Sequence, residues 1–275
     1  MLVTLEEILK DAEKKKYGVG LFNMLNLEMA RGLIEAAEEE SSPLILGVAE
    51  VHLPMIPLDY ASVIMNKIAR EATVPVCLHF DHGTNYSSIL SAMKGGFTSV
   101  MYDGSTLPYE QNIANTREIS RVAHALGVSV EAELGHVGGA EGGDDDGFDE
   151  MYTESQQVND FIERADIDAL AVAIGTAHGQ YKTKPKLDIK RLGEIYSVSK
   201  KPLVLHGGSG LSNDDFKNTI NNGIRKINIC TEMCVALREA YLHSSNHETL
   251  FNDGKNAVKE VVKEKMRLFG SSNKA

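Results

Sequence analysis

The chain has 275 residues, of which 43% are hydrophobic and 24% are charged, and its 39 acidic residues outnumber its 28 Lys and Arg residues to give a formal net charge of −11. A globular chain of this size can bury one large core without disulfides or structural metals. The acidic balance argues against a nucleic-acid binder or an anionic-membrane binder, so an anionic substrate must be held by a local site.

The cysteine pattern and the N-terminus bear on the compartment. Cys77, Cys230 and Cys234 form no CxxC pair, which favours a reducing compartment over a disulfide framework. The first residues, MLVTLEEILKDAEKKK, contain no apolar stretch of the kind found in signal peptides. No run approaches about 18 consecutive apolar residues. We therefore expect a cytoplasmic protein with no membrane or nucleic-acid partner.

Taken in chain order, the elements predict an α/β fold. The spacing of Thr4 and Glu7 predicts a capping box and an N-terminal helix that runs towards Lys16. Short β-like runs then alternate with amphipathic stretches, and nearly all-apolar runs such as ALAVAIG are typical of parallel strands covered on both faces. Eight such units favour a single-domain (β/α)8 TIM barrel over residues 1–275. The predicted strands are Gly18–Phe22, Leu44–Val48, Val74–Phe80, Thr98–Tyr102, Val128–Glu133, Ala169–Ile174, Pro202–His206 and Arg225–Cys230.

Two segments lie outside this regular pattern. An additional C-terminal helix, Lys255–Leu268, follows the eighth unit and is expected to be an outer cap or an oligomer contact. The segment Gly135–Glu150, GHVGGAEGGDDDGFDE, has no helix or strand period and follows the fifth strand, on the side where barrel active sites lie. We interpret it as a mobile lid, with Asp144–Asp146 as a solvated part of its surface.

The predicted strand ends carry polar motifs: HFDHG, YDGS, EAELG, GTAHG, HGGSG and NICT. Catalytic groups of barrels come from the C-terminal ends of different strands. His82, His178 and His206 therefore converge from three strands, and three neutral imidazoles with one open position are a typical catalytic zinc shell. Asp103 and Glu133 lie on the same rim, where they either bind a second cation, orient the imidazoles or form a hydrogen-bond network.

The HGGSG and NICT turns predict a phosphate site. Glycines leave backbone N–H groups uncovered, the following helix adds its positive end, and barrels often bind phosphate after strands seven and eight. Lys182, four residues after His178, either adds a positive charge there or is a solvated lysine. Cys230 and Cys234 are interpreted as packing residues rather than ligands.

In combination and order, these motifs resemble the class II, zinc-dependent ketose-bisphosphate aldolases, the family of fructose- and tagatose-1,6-bisphosphate aldolases. The likeness covers nearly the whole chain and is carried by FNMLNLE, VPVCLHFDHG, SVMYDGS, VEAELGHVGGAE, AIGTAHGQYK, PLVLHGGSGL and VVKEKMRLFGSS. It implies reversible cleavage of the C3–C4 bond of a ketose 1,6-bisphosphate, by default fructose 1,6-bisphosphate, to dihydroxyacetone phosphate and glyceraldehyde 3-phosphate. A homodimer or homotetramer is expected.

The resemblance also implies a metal site. By that likeness, His82, His178 and His206 bind the catalytic zinc, while Asp103 and Glu133 match a second site for a divalent or monovalent cation. No Schiff-base lysine is evident in the sequence, so the enediolate formed on cleavage needs a Lewis acid to stabilise it.

Proton transfer and substrate binding are implied in the same way. Asp81 matches the residue that exchanges the proton of the C4 hydroxyl, and Glu141, on the glycine-rich loop, matches the acid/base at C3. The positions that match contacts of dihydroxyacetone phosphate are Gly179, Gly207, Gly208, Ser209, Asn228, Ile229, Cys230 and Thr231. We add Lys182 to these expected substrate-binding residues.

Departures from the family pattern affect the choice of sugar. Ala49 stands where many relatives have a Ser that can contact a phosphate, and Cys230 stands where some have an Asp. We expect the nearby His52 to be a solvated loop residue. Tagatose 1,6-bisphosphate or another phosphorylated ketose is therefore an alternative substrate. Two other functions are alternatives. A barrel zinc hydrolase would give no role to HGGSG or to the Glu141 loop. A non-catalytic sugar-phosphate-binding protein would tolerate loss of Asp81 or Glu141, and both residues are present.

These departures predict relaxed discrimination between fructose and tagatose 1,6-bisphosphates, or a preference for a ketose other than fructose 1,6-bisphosphate. The two epimers differ at C4, and a site separates such epimers by leaving a polar group unpaired in the wrong one. The measurement is kcat/KM for both epimers, in the wild type and in Ala49→Ser, which restores the hydroxyl. A wild-type preference for fructose 1,6-bisphosphate beyond about 10³-fold would contradict the prediction.

Overall fold

The structure, a computed structural model, describes residues 1–139, 151–181 and 183–275. Its strands are β1 (Val19–Asn23), β2 (Leu44–Ala49), β3 (Val76–Gly83), β4 (Ser99–Tyr102), β5 (Ser129–Leu134), β6 (Ala169–Val172), β7 (Leu203–Leu205) and β8 (Ile224–Ile229). Its helices are α1 (Leu5–Lys15), α2 (Leu27–Glu39), α3 (Leu58–Glu71), α4 (Tyr86–Lys94), α5 (Tyr109–Ala125), α6 (Val158–Ala165), α7 (Ile189–Val198), α8 (Asn213–Asn221), α9 (Thr231–His243) and α10 (Leu250–Phe269). Short 3₁₀ turns lie at Glu50–His52 and Ser155–Gln157.

The sheet is a closed barrel of parallel strands in sequence order, completed by the pairing of β1 with β8. The predicted (β/α)8 TIM barrel is therefore confirmed, and each predicted strand overlaps an observed one. The largest difference is at β3, which continues past Phe80 to Gly83 and so includes two of the predicted site residues. The single-domain organisation over residues 1–275 stays a prediction.

Alternation along β5 separates an apolar outer face from a polar inner one. On β5, Val130 and Ala132 belong to the core between the sheet and the surrounding helices, while Glu131 and Glu133 face the barrel interior. All of these residues are buried. The barrel interior therefore holds charged side chains that burial would destabilise unless they are paired.

Helix α1 closes the N-terminal end of the barrel. The capping box predicted at Thr4 and Glu7 is present. Leu9 of α1 is fully buried in a second apolar cluster with Val19 and Ile45 from the bottom of the barrel interior. This cluster seals the end opposite to the predicted site, so access to the interior is from the C-terminal ends of the strands.

Helix α10 packs on the outside of its own barrel, against α2. A Cβ atom at Gly32 would lie 2.7 Å from the carbonyl oxygen of Lys255, so the glycine permits this close contact. Ion pairs flank it, with Lys255 Nζ 2.6 Å from Glu35 and Lys259 Nζ 2.8 Å from Glu39. Of the two expectations for this helix, the outer cap is the one observed.

Across the three described ranges, we find no helix with the combination of length and apolarity that crossing a bilayer requires.

Candidate active site

A break in the strand register sets the position of the first predicted metal ligand. The pairing of β3 with β4 shifts between Phe80 and Gly83, and His82, inside this bulge, has a φ of 47°. A left-handed backbone is uncommon for a residue with a side chain, and strained residues of this kind concentrate at functional sites. Bulges re-aim side chains. Here the imidazole of His82 meets that of His206 instead of following the strand alternation.

The three predicted histidines do come together. The ring centroid of His82 lies 4.8 Å from that of His178 and 4.5 Å from that of His206, and the His178 and His206 centroids are 5.8 Å apart. One ring nitrogen from each lies within 4.8 Å of the other two. His82 comes from β3, His206 from the end of β7, and His178 from the loop after β6.

The outer nitrogen of each ring has an oxygen within hydrogen-bond reach. His82 Nδ1 lies 2.8 Å from Asp103 Oδ2, His206 Nε2 lies 2.9 Å from Glu131 Oε1, and His178 Nδ1 lies 3.3 Å from the carbonyl oxygen of Gly139. An ionised carboxylate or a carbonyl can only accept, so each ring carries its hydrogen on this outer nitrogen. The inner nitrogens, His82 Nε2, His178 Nε2 and His206 Nδ1, are thereby left with their lone pairs.

These inner nitrogens fit a bound cation. His82 Nε2 and His206 Nδ1 lie 2.7 Å apart, so two lone pairs face each other. Among the residues that the structure describes, His178 Nε2 is buried and has no hydrogen-bond partner. Neutral imidazoles oriented by outer carboxylates are the donor set that zinc prefers. The residues present therefore fit the metal that the sequence predicts.

The electrostatics of two of the rings agree with this donor set. Burial lowers the pKa of His178 well below its ordinary value, and the neighbouring His82 and His206 lower it further. Burial also lowers the pKa of His206, followed by the effect of His82, although Glu131 opposes the change. Both rings are therefore neutral near pH 7, as metal ligands must be.

Asp81 lies directly beneath the histidines, and its side chain is fully buried. Burial alone would raise the pKa of this carboxyl group, but the neighbouring His82 and His79 and the charge of Lys226 hold it well below the usual range. Asn228 Nδ2 donates to Asp81 at 3.2 Å. Asp81 is thus an ionised acceptor next to the predicted metal position.

A second side-chain amide, that of Asn23 at the end of β1, also donates to Asp81. No role is predicted for this residue from the sequence. Asn23 Nδ2 donates to Asp81 Oδ2 at 2.9 Å. The Asn23 side chain passes over Gly47, where an added Cβ would lie 2.5 Å from Asn23 Oδ1. Asn23 is the last residue of its strand, directly after a buried apolar run, and this position is the signal that could have identified it.

Three further buried residues without an assigned role lie on the inner face below the triad: His79, Glu131 and Lys226. Lys226 Nζ lies 2.7 Å from Glu131 Oε2 and 4.0 Å from Asp81 Oδ1. Strand alternation was the available signal, because Glu131 stands two residues before Glu133 and Lys226 two residues before Asn228.

Asp103 and Glu133 occupy different environments on the rim. Asp103 accepts from His82 and also from the hydroxyl of Ser105, at 2.7 Å. Ser105 Oγ in turn lies 2.9 Å from His136 Nδ1. Glu133 is buried, and burial together with the charge of Asp103 raises its pKa to about 8. Asp103 thus orients an imidazole, while the second cation site at Asp103 and Glu133 stays a prediction. One ligand atom from each of these residues lies within 4.8 Å of the other and of one from His82.

A cavity lies at the predicted phosphate turns. It has a volume of about 490 Å³ and is lined by Gly179, Ser209 and Thr231, among others. Gly207 has a φ of 65°, and a Cβ there would lie 2.4 Å from the carbonyl oxygen of Ala177. Only glycine allows the turns after β6 and β7 to approach this closely. Helix α9 begins at Thr231 and therefore directs its N-terminal end towards the same cavity.

Some of the backbone donors expected to be uncovered are already bonded. The N–H of Gly208 donates to the carbonyl of Asn228 at 3.1 Å, and that of Gly210 donates to Glu232 at 2.7 Å. The Cys230 N–H donates to Ser209 Oγ at 3.2 Å, which joins the two turns. Gly208 and Cys230 therefore shape the cavity through their backbone bonds. Ile229 is fully buried in the outer core, so its side chain faces away from the cavity.

Two predicted site residues lie outside the described part of the chain, whereas Ala49 and His52 lie within it. Glu141 and Lys182 fall among the positions that the structure does not describe. Ala49 is fully buried and pairs in register with Asp81, so it lies in the barrel wall beside the proton-transfer candidate. The expectation that His52 is a solvated loop residue is wrong, because this histidine is 2% exposed, in the 3₁₀ turn after β2.

Comparison with known proteins agrees with this geometry. Residues 3–274 match the family described as “Fructose-bisphosphate aldolase class-II”. The chain belongs to this family. It is 43% identical over 286 aligned positions to a “Probable fructose-bisphosphate aldolase” of Bacillus subtilis, and 40% identical over 287 to a fructose-bisphosphate aldolase of Staphylococcus aureus, in each case across 100% of this chain and 99% of the relative.

A solved structure supports the same assignment. The YdjI aldolase of Escherichia coli K12 superposes with a TM-score of 0.91 at 39% identity, over 100% of both chains. Members of the class II aldolase family are aldehyde-lyases that depend on zinc, and they act on phosphorylated ketoses and triose phosphates. The family assignment therefore decides for a class II aldolase and against the zinc hydrolase, and it does not favour the tagatose alternative.

The contact between Asn23 and Gly47 predicts a defect that originates next to the site. In Gly47→Ala, the new methyl group displaces Asn23 and with it the orientation of Asp81, so kcat for cleavage should fall by about 10²-fold, as expected for a misplacement of about 1 Å. Gly193→Ala is the control, because a Cβ in that helix lies no closer than 3.4 Å to its neighbours. Steady-state kinetics that show equal kcat in both variants would contradict the assignment of Asn23.

Proposed function

We propose that this protein cleaves and forms the C3–C4 bond of a ketose 1,6-bisphosphate, with fructose 1,6-bisphosphate as the first substrate to test, and that His82, His178 and His206 hold the zinc ion it needs. The substrate is proposed because curated relatives that are 43% and 40% identical to this chain are named as a probable fructose-bisphosphate aldolase and a fructose-bisphosphate aldolase. The observation that carries the proposal is the convergence of three inner imidazole nitrogens whose outer nitrogens all face oxygen acceptors.

Bound zinc would supply a Lewis acid for the negative charge that develops on the substrate when the C3–C4 bond breaks. The protein's own contribution to this step is orientation. Asp103, Glu131 and the carbonyl of Gly139 keep the three rings in one tautomer, with their lone pairs directed inward. Little rearrangement is needed when the charge forms, which is the basis of electrostatic preorganisation.

Asp81 is the proposed base in cleavage. It accepts the proton of the C4 hydroxyl, the C4–O bond becomes a carbonyl, and the electron pair of the C3–C4 bond remains on the C2–C3 unit. The low pKa of Asp81 keeps its carboxylate free of a proton before this step. Hydrogen bonds from Asn23 and Asn228 hold it in place. In condensation the proton returns from Asp81 to the new C4 oxygen.

The remaining assignments concern the ketone end of the substrate. We propose that the phosphate of dihydroxyacetone phosphate binds in the cavity lined by Gly179, Ser209 and Thr231, at the N-terminal end of α9. Lys182 adds a positive charge in this proposal. Glu141 gives a proton to C3 after cleavage and removes one in condensation; it stands two residues after Gly139, whose carbonyl oxygen lies 3.3 Å from His178 Nδ1.

Metal removal tests the proposal most directly. Because the three rings lose their shared cation, dialysis against a chelator should abolish cleavage of fructose 1,6-bisphosphate, and zinc or another divalent ion should restore it. Circular dichroism checks that the stripped protein is still folded. Borohydride added with substrate should trap no covalent adduct. Full activity of the stripped protein would refute the zinc assignment.

Separate variants distinguish the two proton-transfer residues. Asp81→Ala should abolish cleavage while zinc stays bound, because Asp81 is not a ligand. Glu141→Ala should slow hydrogen exchange at C3 of dihydroxyacetone phosphate by about 10²–10⁴-fold, the usual contribution of a general acid or base. Asp144→Ala, three residues further along the sequence, is the matched control. If tritium left that carbon at the wild-type rate in Glu141→Ala, the role of Glu141 would have to be withdrawn.

We also propose that the protein acts in the cytoplasm as a homodimer or homotetramer, as the sequence predicts, without a nucleic-acid or membrane partner. The strongly acidic composition supports the absence of polyanionic partners.

A further inference from the structure

The barrel interior contains a buried lysine for which the proposed reaction has no direct use. Lys226 lies on the inner face of β8, and its side chain is fully buried. Its Nζ is 2.7 Å from Glu131 Oε2 and 2.9 Å from Glu131 Oε1, so both oxygens of this carboxylate contact the ammonium group. The lysine is thus held in an ion pair beneath the histidines, and this position does not suit a nucleophile.

Glu131 connects this ion pair to the proposed metal site. Its Oε1 atom, which Lys226 contacts, is also the atom that accepts from His206 Nε2 at 2.9 Å. Any movement of the Glu131 carboxylate therefore changes the orientation of the His206 ring. Lys226 itself does not touch His206 in any described contact, so its influence on the orientation of the ring passes through Glu131.

The charges around Lys226 explain why a cation is needed there. Glu131 and Asp81 both have fully buried side chains, and Lys226 Nζ lies between them, 4.0 Å from Asp81 Oδ1. The nearby His79 is 3.5 Å from Asp81 and 3.9 Å from Glu131, at distances too long for strong hydrogen bonds. A buried carboxylate whose partner is removed is strongly destabilised and moves towards other donors or water.

We propose that Lys226 is a positioning residue for the metal site: its ammonium group fixes the Glu131 carboxylate, which in turn holds His206 with Nδ1 directed at the cation. This inference rests on the zinc site of the proposed function. Loss of the lysine leaves Glu131 buried without its counter-charge, so the carboxylate leaves its place against His206. Replacing Glu131 by the neutral Gln in the same variant removes the unpaired charge and keeps an oxygen that can accept from His206.

The test compares zinc affinity, measured by competition with a chromophoric chelator, in Lys226→Met, in Lys226→Met/Glu131→Gln and in the wild type. Partners of metal-ligating histidines typically contribute 10–100-fold to metal affinity, so Lys226→Met should bind zinc about 10–100-fold more weakly. The double variant should recover most of that loss. The absorption spectrum of the cobalt-substituted protein should change in Lys226→Met and return towards the wild-type spectrum in the double variant.

The matched control is Arg225→Met. Arg225 precedes Lys226 on β8, is 1% exposed and pairs with Glu13 at 2.9 Å on the other side of the strand. The Arg225→Met substitution therefore removes a buried cation without changing any described contact of the three histidines. Arg225→Met should lower the thermal unfolding temperature and leave zinc affinity and the cobalt spectrum unchanged. If Lys226→Met behaves like this control, the lysine serves stability alone and the proposal is overturned.

Three further outcomes would overturn the proposal that Lys226 positions the metal site. If Lys226→Met does not fold, Lys226→Gln replaces it in the comparison, and wild-type zinc affinity in that variant overturns the proposal. A folded double variant that binds zinc about tenfold more weakly than the wild type also overturns it. A borohydride-trapped adduct on Lys226 would show that the lysine is a nucleophile and not a positioning residue. Because zinc affinity is measured without substrate, these results are independent of whether the wild type cleaves fructose 1,6-bisphosphate.

Discussion

The predicted metal site depends on oxygen acceptors that lie within hydrogen-bond reach of the outer nitrogens of three imidazoles. A ring can direct a lone pair inward only if its hydrogen is held on the opposite nitrogen, and Asp103, Glu131 and the Gly139 carbonyl face those nitrogens. One of these acceptors, the carboxylate of Glu131, is a charged group that is fully buried in the barrel interior. The interior must therefore supply counter-charges and donors: Lys226 pairs with Glu131, and two asparagines donate to the nearby Asp81.

This requirement accounts for the layered interior of the barrel. At the closed end, α1 and the first residues of the strands form an apolar cluster. The middle layer pairs Glu131 and Asp81 with Lys226, and the histidines lie above it. Each charge in the middle layer has an opposite charge or a hydrogen-bond donor nearby, which makes its burial tolerable. The arrangement also keeps Asp81 ionised immediately below the position where the substrate hydroxyl is expected.

Backbone irregularities bring the predicted site residues together at the rim of the barrel. The bulge at His82 breaks the register of β3 and turns its side chain towards β7, at the cost of a left-handed backbone. The left-handed Gly207 allows the turns after β6 and β7 to meet within a distance that a side chain would prevent. Both features bring groups from different strands to one place, and both lie at the C-terminal ends of the strands, where barrel enzymes carry their chemistry.

The sequence by itself predicted the barrel and the convergence of the three histidines, because strand periodicity and polar strand ends are local patterns that can be identified residue by residue. The likeness of its motifs to the aldolases predicted the family and the role of Asp81. Only the tertiary structure decided which groups support them. Asn23, Glu131 and Lys226 stand on three different strands, and their contacts arise from barrel closure and register rather than from spacing in the chain. The burial of His52 was also beyond the sequence, since a loop residue is covered or exposed according to what packs over it. Local patterns specify the elements and their polar ends, whereas the pairing of buried charges depends on distances between strands that no local pattern contains.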